Sequence, residues 1–101
     1  MAVTGSTVGV YTFAASGDTV ARTTRLFVRD FAWVCSTAST AGDHLLVTDS
    51  LATASTIFEA YASGAYTRVW QPAHRWFDGI TVASMTSGTL YVYTGNPRLT
   101  G

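Results

Sequence analysis

Residues 76–95, WFDGITVASMTSGTLYVYTG, constrain the fold more than any other part of the chain. Residues 80–82 and 89–93 are β-branched and aromatic runs that alternate as half-buried strands do. Ser87 and Gly88 lie between the runs and predict a tight reversal of direction. The pattern therefore predicts a β-hairpin in an all-β protein, with an outward face that is unusually apolar.

Further strand-like runs recur along the chain, and small-residue turns rich in Gly and Ser separate them. Strands spaced about 8–12 residues apart are typical of sandwiches and barrels, and helical periodicity is missing. The sequence therefore predicts an all-β sandwich or barrel with seven to eight short strands. One domain is expected over residues 1–101, with residues 1–12 as an N-terminal arm or edge strand. The other predicted strands are 7–13, 23–35, 43–49, 56–61 and 66–71.

Three local features refine this prediction. The apolar phase of residues 23–35 changes near Arg29 and Asp30, which predicts a β-bulge or a break there. Pro72 lacks an N–H group and is expected to end the strand before it. Asp78-Gly79 is expected to kink or bulge its strand rather than form a turn. The predicted core consists of Leu26, Val28, Trp33, Leu45, Val47, Phe58, Ile80, Val82, Leu90 and Val92.

The charge composition argues against several classes of partner. Only 12% of the residues are charged, and six arginines balance six acidic residues without a lysine. A net charge of zero gives no electrostatic footprint for nucleic acid or for an anionic membrane. No apolar run reaches the ~18 residues that a membrane span needs. A neutral surface favours association, and interfaces deplete Lys and Glu while keeping Arg and aromatic residues.

Candidate catalytic and metal-binding residues are few. Asp43 and His44 suggest a dyad, but neighbouring residues in a strand point to opposite faces. Cys35 lies in a strand-like run and is interpreted as a buried structural thiol. His74 lacks the spaced His or Cys partners of a metal site. A calcium site is an alternative for three acidic residues that are otherwise interpreted as turn caps: Asp43, Asp49 and Asp78. The sequence thus predicts no enzyme, no metal site and no cofactor.

The aromatic residues leave three interpretations open. Tyr91 and Tyr93 share one face of the last strand, which could be solvated, buried at a subunit contact, or a platform for stacking a sugar. Trp70 and Trp76 are expected in the core at one end of the sandwich. The alternative is that one of the two is exposed and anchors a partner. Arg68 and Arg75 are candidates for binding carboxylates across an interface.

From Phe31 onward the chain resembles a group of small virion proteins of tailed bacteriophages. The resemblance is carried by FAWVCSTASTAGDHLLVTD, IFEA, RVWQP and WFDGITVASMTSGTLYVYTG. The group is similar to capsid decoration (cement) proteins. This resemblance implies a small antiparallel β-sandwich, similar to a jelly roll, that sits in trimers over capsomer junctions. No catalytic residues are carried over by this resemblance, and the first thirty residues match less well.

The expected function is therefore that of a non-enzymatic phage structural protein, made in the host cytoplasm and located in the virion. Its expected partners are itself, as a homotrimer, and the major capsid protein or another virion protein, with no nucleic acid and no membrane. The alternatives are a carbohydrate- or receptor-binding module of a phage fibre, and a head–tail or tail component. Residues 1–12 are expected to act as a second tether. The predicted contact residues are Arg25, Phe27, Arg29, Arg68, Trp70, Tyr91 and Tyr93.

Overall fold

The fold is all-β and antiparallel, as predicted. The computed structural model describes residues 9–51 and 54–95 together with the backbone of residues 4–5. The strands are β1 (Thr4–Gly5), β2 (Gly9–Phe13), β3 (Thr19–Val34), β4 (His44–Thr48), β5 (Thr56–Tyr61), β6 (Arg68–Met85) and β7 (Thr89–Thr94). β1 is a two-residue pairing, so six strands of five residues or more build the sheet in the described part of the chain. The sequence predicts short strands, but β3 and β6 are long, with 16 and 18 residues.

All the strands belong to one hydrogen-bonded sheet with the order β1-β2-β7-β3-β6-β4-β5. The predicted hairpin of residues 76–95 is wrong, because β3 lies between β6 and β7. The chain does reverse at Ser87 and Gly88, but it passes over the end of β3 in doing so. The indole N–H of Trp33 donates to the carbonyl of Ser87 at 3.0 Å and holds this crossing in place.

The core lies on the inner side of the sheet, which folds over on itself. All ten residues predicted for the core are buried. Phe31 of β3 stacks on Phe58 of β5 with 5.2 Å between the ring centroids. These two strands are not neighbours in the sheet, so the stack shows that distant parts of the sheet face each other. Phe13, Phe77 and Cys35 are also buried in this core.

The predicted bulge is present in the middle of β3. The register shifts between Val28 and Asp30 toward both β6 and β7, and Arg29 lies at the shift. Leu26 and Val28 are buried before it, and Phe31 and Trp33 after it. The bulge switches the inward-facing positions from even-numbered residues before it to odd-numbered residues after it. One continuous strand therefore keeps its apolar side chains in the core.

Pro72 does not end a strand, contrary to the prediction. β6 continues through it, and Pro72 pairs with Asp30 at the same irregularity in register. A residue without an N–H group is tolerated where the hydrogen-bonded ladder is interrupted. β6 also continues through Gly79, which has a φ of 71° beside a second irregularity between Val20 and Arg25. The expected kink at Gly79 is therefore present.

The N-terminal segment is partly described. Thr4–Gly5 pairs with β2, and residues 9–12 pair with β7 as part of β2. The rest of the predicted arm over residues 1–12 lies outside the described residues.

Candidate functional site

The candidate site is built on the outer side of β6. Side chains alternate along a strand, and Val69, Ala73 and Phe77 pack into or against the core. The even-numbered residues of this segment therefore point outward. His74 has a positive φ of 54°, and its contact with Phe27 places it on the same outer side. We call these residues the β6 row: Arg68, Trp70, Pro72, His74, Trp76 and Asp78.

The neighbouring strands widen the row into a face. Ala32 of β3 pairs with Trp70 on one side and with Tyr91 on the other. Asp30 bridges Pro72 and Tyr93 in the same way. Cross-strand partners project to the same side of a sheet. We call the whole surface the aromatic face: the β6 row together with Arg25, Phe27, Asp30, Ala32, Tyr91 and Tyr93.

A shallow groove occupies one end of the aromatic face. The Trp70 ring stacks on Tyr93 with 5.4 Å between the centroids and 26° between the planes. Its indole N–H donates to Asp30 Oδ1 at 3.3 Å, while 60% of the Trp70 side chain stays exposed. The groove has a volume of about 260 Å³, and Arg68 and Tyr91 also line it. It offers a flat apolar surface with charged groups at its side.

A ridge occupies the other end of the aromatic face. The ring of Trp76 packs edge-on against Phe27 at 5.5 Å and remains 46% exposed. The guanidinium of Arg25 lies 5.4 Å from the centroid of the Trp76 ring, in cation–π geometry. His74 also contacts Phe27, with 6.4 Å between the centroids. Phe27 is only 8% exposed, so it supports the ridge rather than offering surface of its own.

Six of the seven predicted contact residues lie on the aromatic face. Arg29, the seventh, is exposed at the bulge, where its side chain lies against Gly95. The structure contradicts the expectation that Trp70 and Trp76 are mainly core residues, because both side chains are exposed rather than buried. Six further residues of the face are not among the predicted contact residues: Asp30, Ala32, Pro72, His74, Trp76 and Asp78. The even spacing of residues 68–78 would have indicated most of them, but the expected strand end at Pro72 hid that pattern.

Asp43 and His44 contact different partners and do not form a dyad with each other. Their adjacent positions in a strand-like run predict this separation. Asp43 caps a turn: its carboxylate accepts hydrogen bonds from the Ser87 hydroxyl at 2.6 Å and from the Thr40 amide at 3.0 Å. His44 instead contacts Glu59, with 2.6 Å between Nε2 and Oε2. The imidazole also stacks on Tyr61, with 4.5 Å between the centroids.

Cys35 is a buried free thiol. Burial raises its pKa, and the nearby charge of Asp43 acts in the same direction, while a hydrogen bond with Ser39 opposes both. A reactive cysteine needs a lowered pKa, because the thiolate is the nucleophile. The environment of Cys35 therefore fits a structural side chain.

The turn around Asp43 leads to a prediction about acid stability. Hydrogen bonds from Ser87 and then from Thr40 lower the pKa of the Asp43 carboxyl below its ordinary value. Its ionised form thus stabilises the fold above the pKa of an unfolded aspartate, about 3.9, and this stabilisation is lost as the pH falls through the folded-state pKa. We expect Asp43→Asn to be less stable than the natural protein near neutrality, with the difference disappearing in strong acid. Urea unfolding over a pH series measures this, and pH profiles that run parallel would contradict it.

Within the described residues, no three His, Cys, Asp or Glu side chains are arranged to hold a metal ion. The three aspartates considered for calcium are dispersed, since Asp43 and Asp49 cap separate turns and Asp78 belongs to the β6 row. The described residues contain no helix with the length and hydropathy of a membrane-spanning segment. No protein-family model matches the chain, and neither curated proteins nor solved structures give a significant match.

Proposed function

We propose that this chain is a non-enzymatic structural protein that associates with copies of itself through the aromatic face. The observation that carries the proposal is the pair of exposed tryptophans, Trp70 and Trp76, on one continuous strand flanked by arginines. Trp, Tyr and Arg supply most of the binding energy at protein interfaces. The sequence resemblance favours placing this assembly on the virion of a tailed bacteriophage, with a capsid protein as the larger partner.

The aromatic face is long compared with the whole molecule, which favours it as a surface for a stable contact. A standard interface buries about 800 Å² per partner. The chain exposes 5450 Å² in total, so such a contact takes roughly one seventh of its surface. Residues 68–78 alone run about 33 Å at 3.3 Å per residue, most of the longest dimension of 38 Å. A contact along the β6 row therefore extends over most of the length of the molecule.

The β5 edge of the sheet is a poorer surface for association than the aromatic face. β5 pairs only with β4, and its other edge has no partner strand among the described residues. β5 is short, and Glu59, the only glutamate of the chain, lies within it. Short edge strands that carry charge resist pairing with another sheet. We therefore assign self-association to the face and not to the edge.

The sandwich or jelly-roll architecture belongs to the same proposal. The contact between Phe31 and Phe58 and the shortest dimension of 21 Å support two facing layers, since packed sheets lie about 10 Å apart. A rigid double layer holds the aromatic face in place before binding. Preorganised surfaces lose less conformational entropy when they associate.

Carbohydrate binding is the second candidate function, and the groove favours it. The exposed Trp70 ring could stack on the apolar face of a sugar, with Asp30 and Arg68 placed beside it to bond hydroxyl groups. A glycan array separates the two functions. Selective glycan binding by the natural protein that is lost in Trp70→Ala would support the alternative.

The mass of the purified protein in solution tests the main proposal. We expect light scattering to show a mass above that of the 10.8 kDa chain, increasing with concentration. Trp70→Ala should shift the equilibrium toward the monomer by about 30-fold or more, as expected for an interface hot spot. Tyr66→Ala is a matched control, because Tyr66 is an exposed aromatic residue in the turn before β6 and outside the face. A natural protein that stays monomeric at high concentration would refute self-association through the face.

A further inference from the structure

The β6 row is nearly symmetric about its centre. Ala73 points inward at the middle, with Pro72 and His74 on its two sides. Trp70 and Trp76 stand three residues from Ala73 in opposite directions. Five residues from Ala73, the row carries Arg68 at one end and Asp78 at the other. Reversing the direction of the strand therefore places tryptophan on tryptophan and exchanges the positive end with the negative end.

This symmetry matches what a twofold interface requires. In such an interface the same patch of each copy is used, and residue i contacts residue j while j contacts i. Building on the proposed function, we infer that two copies pack β6 against β6 in antiparallel orientation, around a twofold axis that crosses the strand near Ala73. Face-to-face sheets keep their strands within about 30° of each other, so an antiparallel alignment of the two rows is a regular packing.

The arrangement matches the groove of one copy with the ridge of the other. Trp76 projects from the ridge and would enter the groove beside Trp70 of the second copy. The twofold axis makes this contact twice, so both tryptophans of each chain become buried. A groove that already has an aromatic floor provides the flat contact that indole rings prefer.

The charges at the ends of the row fit the same arrangement. Arg68 of one copy lies opposite Asp78 of the second, and this pair also forms twice. Within the described part of the chain, neither Arg68 nor Asp78 forms a salt bridge. Both charged groups are therefore available to a partner. A parallel alignment would instead bring Arg68 against Arg68, and like charges at an interface are unfavourable.

A charge-swap experiment tests the antiparallel pairing. Arg68→Asp alone should place two carboxylates opposite each other, and Asp78→Arg alone should place two guanidinium groups opposite each other. We expect each single variant to dimerise about tenfold or more weakly than the natural protein. Mixing the two variants should restore dimerisation, because both cross-copy pairs then have opposite signs. Native mass spectrometry of the mixture, with one variant isotopically labelled, should show mostly heterodimers.

Two controls keep the result interpretable. Circular dichroism and urea unfolding of each variant report whether it folds. Asp78→Asn removes the charge without adding repulsion toward Arg68, so it should weaken dimerisation less than Asp78→Arg does. Arg25 is the cross-strand partner of Asp78 within the same chain. Both variants at position 78 remove the negative charge beside Arg25, so the difference between them reports on Arg68 of the second copy.

The possible outcomes separate this inference from the proposed function. Heterodimers favoured in the mixture would support the antiparallel twofold. A natural protein that dimerises through Trp70, with no rescue on mixing, would overturn the antiparallel pairing and leave the self-associating face intact. A mass of three chains would also overturn the twofold while agreeing with the trimer that the resemblance implies. A monomeric natural protein would refute both.

Discussion

Replacing Gly79 with alanine is expected to cost about 3 kcal/mol or more of unfolding free energy. Gly79 has a φ of 71°, a left-handed conformation that L side chains rarely adopt. A Cβ atom there would lie 2.4 Å from the carbonyl oxygen of Val20 and 2.7 Å from Ser50 Cβ and Oγ. Neither neighbour moves easily, because the Ser50 hydroxyl already donates to that carbonyl at 2.7 Å. The substitution therefore combines backbone strain with overpacking.

Gly17→Ala is the matched control for this prediction. Gly17 also has a positive φ, 89°, but a Cβ atom at that position would meet no other atom within 4 Å. Only the backbone strain remains, and it should cost about 1 kcal/mol. Urea unfolding followed by circular dichroism measures both variants. Equal losses would show that the contact with Val20 and Ser50 is not what limits position 79.

Trp33→Ala is expected to lower the unfolding free energy by about 3–5 kcal/mol, the usual range for removing a large aromatic residue from a core. Trp33 is completely buried. Its indole N–H is also the donor to the Ser87 carbonyl at the crossing from β6 to β7. The variant loses that hydrogen bond together with the packing. A domain of this size has a total stability of about 5–15 kcal/mol, so the loss is a large share of it.

Trp70→Ala is the control for Trp33→Ala. The same residue type is removed, but Trp70 is mostly exposed and rests on Tyr93. Losing one aromatic contact at the surface should cost about 1 kcal/mol. Unfolding must be measured at concentrations where the natural protein is monomeric, because association would add to its apparent stability. Comparable losses at the two positions would contradict the division between core and face.

The core could be predicted from the sequence because alternation depends on one strand at a time. The shift in phase near Arg29 was enough to locate the bulge, and the residues on each side of it were assigned to the correct face. Strand pairing was different. Alternation determines which side chains point inward but does not determine which strand lies next to which. A reversal at Ser87 and Gly88 fits either a hairpin or a connection that passes over another strand. The second arrangement depends on a contact with Trp33, fifty-four residues before Ser87.

The candidate site was predicted only in part. Tyr91, Tyr93 and Trp70 are predicted as contact residues because their residue types are those that interfaces use, and the structure brings all three onto one face. The continuity of that surface depended on whether β6 passes through Pro72. Proline normally interrupts a strand, and the bulge opposite Asp30 that accommodates it belongs to another part of the chain. Once β6 is known to continue through Pro72, the even spacing places Trp76 and Asp78 on the same strand face as Trp70.

The central position of β3 has a consequence for how the chain reaches its native state. Val20 pairs with Ile80, and Val34 pairs with both Arg68 and Thr89, so the closest partners of β3 follow it by tens of residues. Proteins dominated by such non-local pairings fold slowly, since long loops must close before the contacts form. During synthesis, β3 therefore leaves the ribosome long before β6 and β7 exist. Its apolar residues stay exposed until the last third of the chain has emerged, and that interval is when aggregation competes with folding.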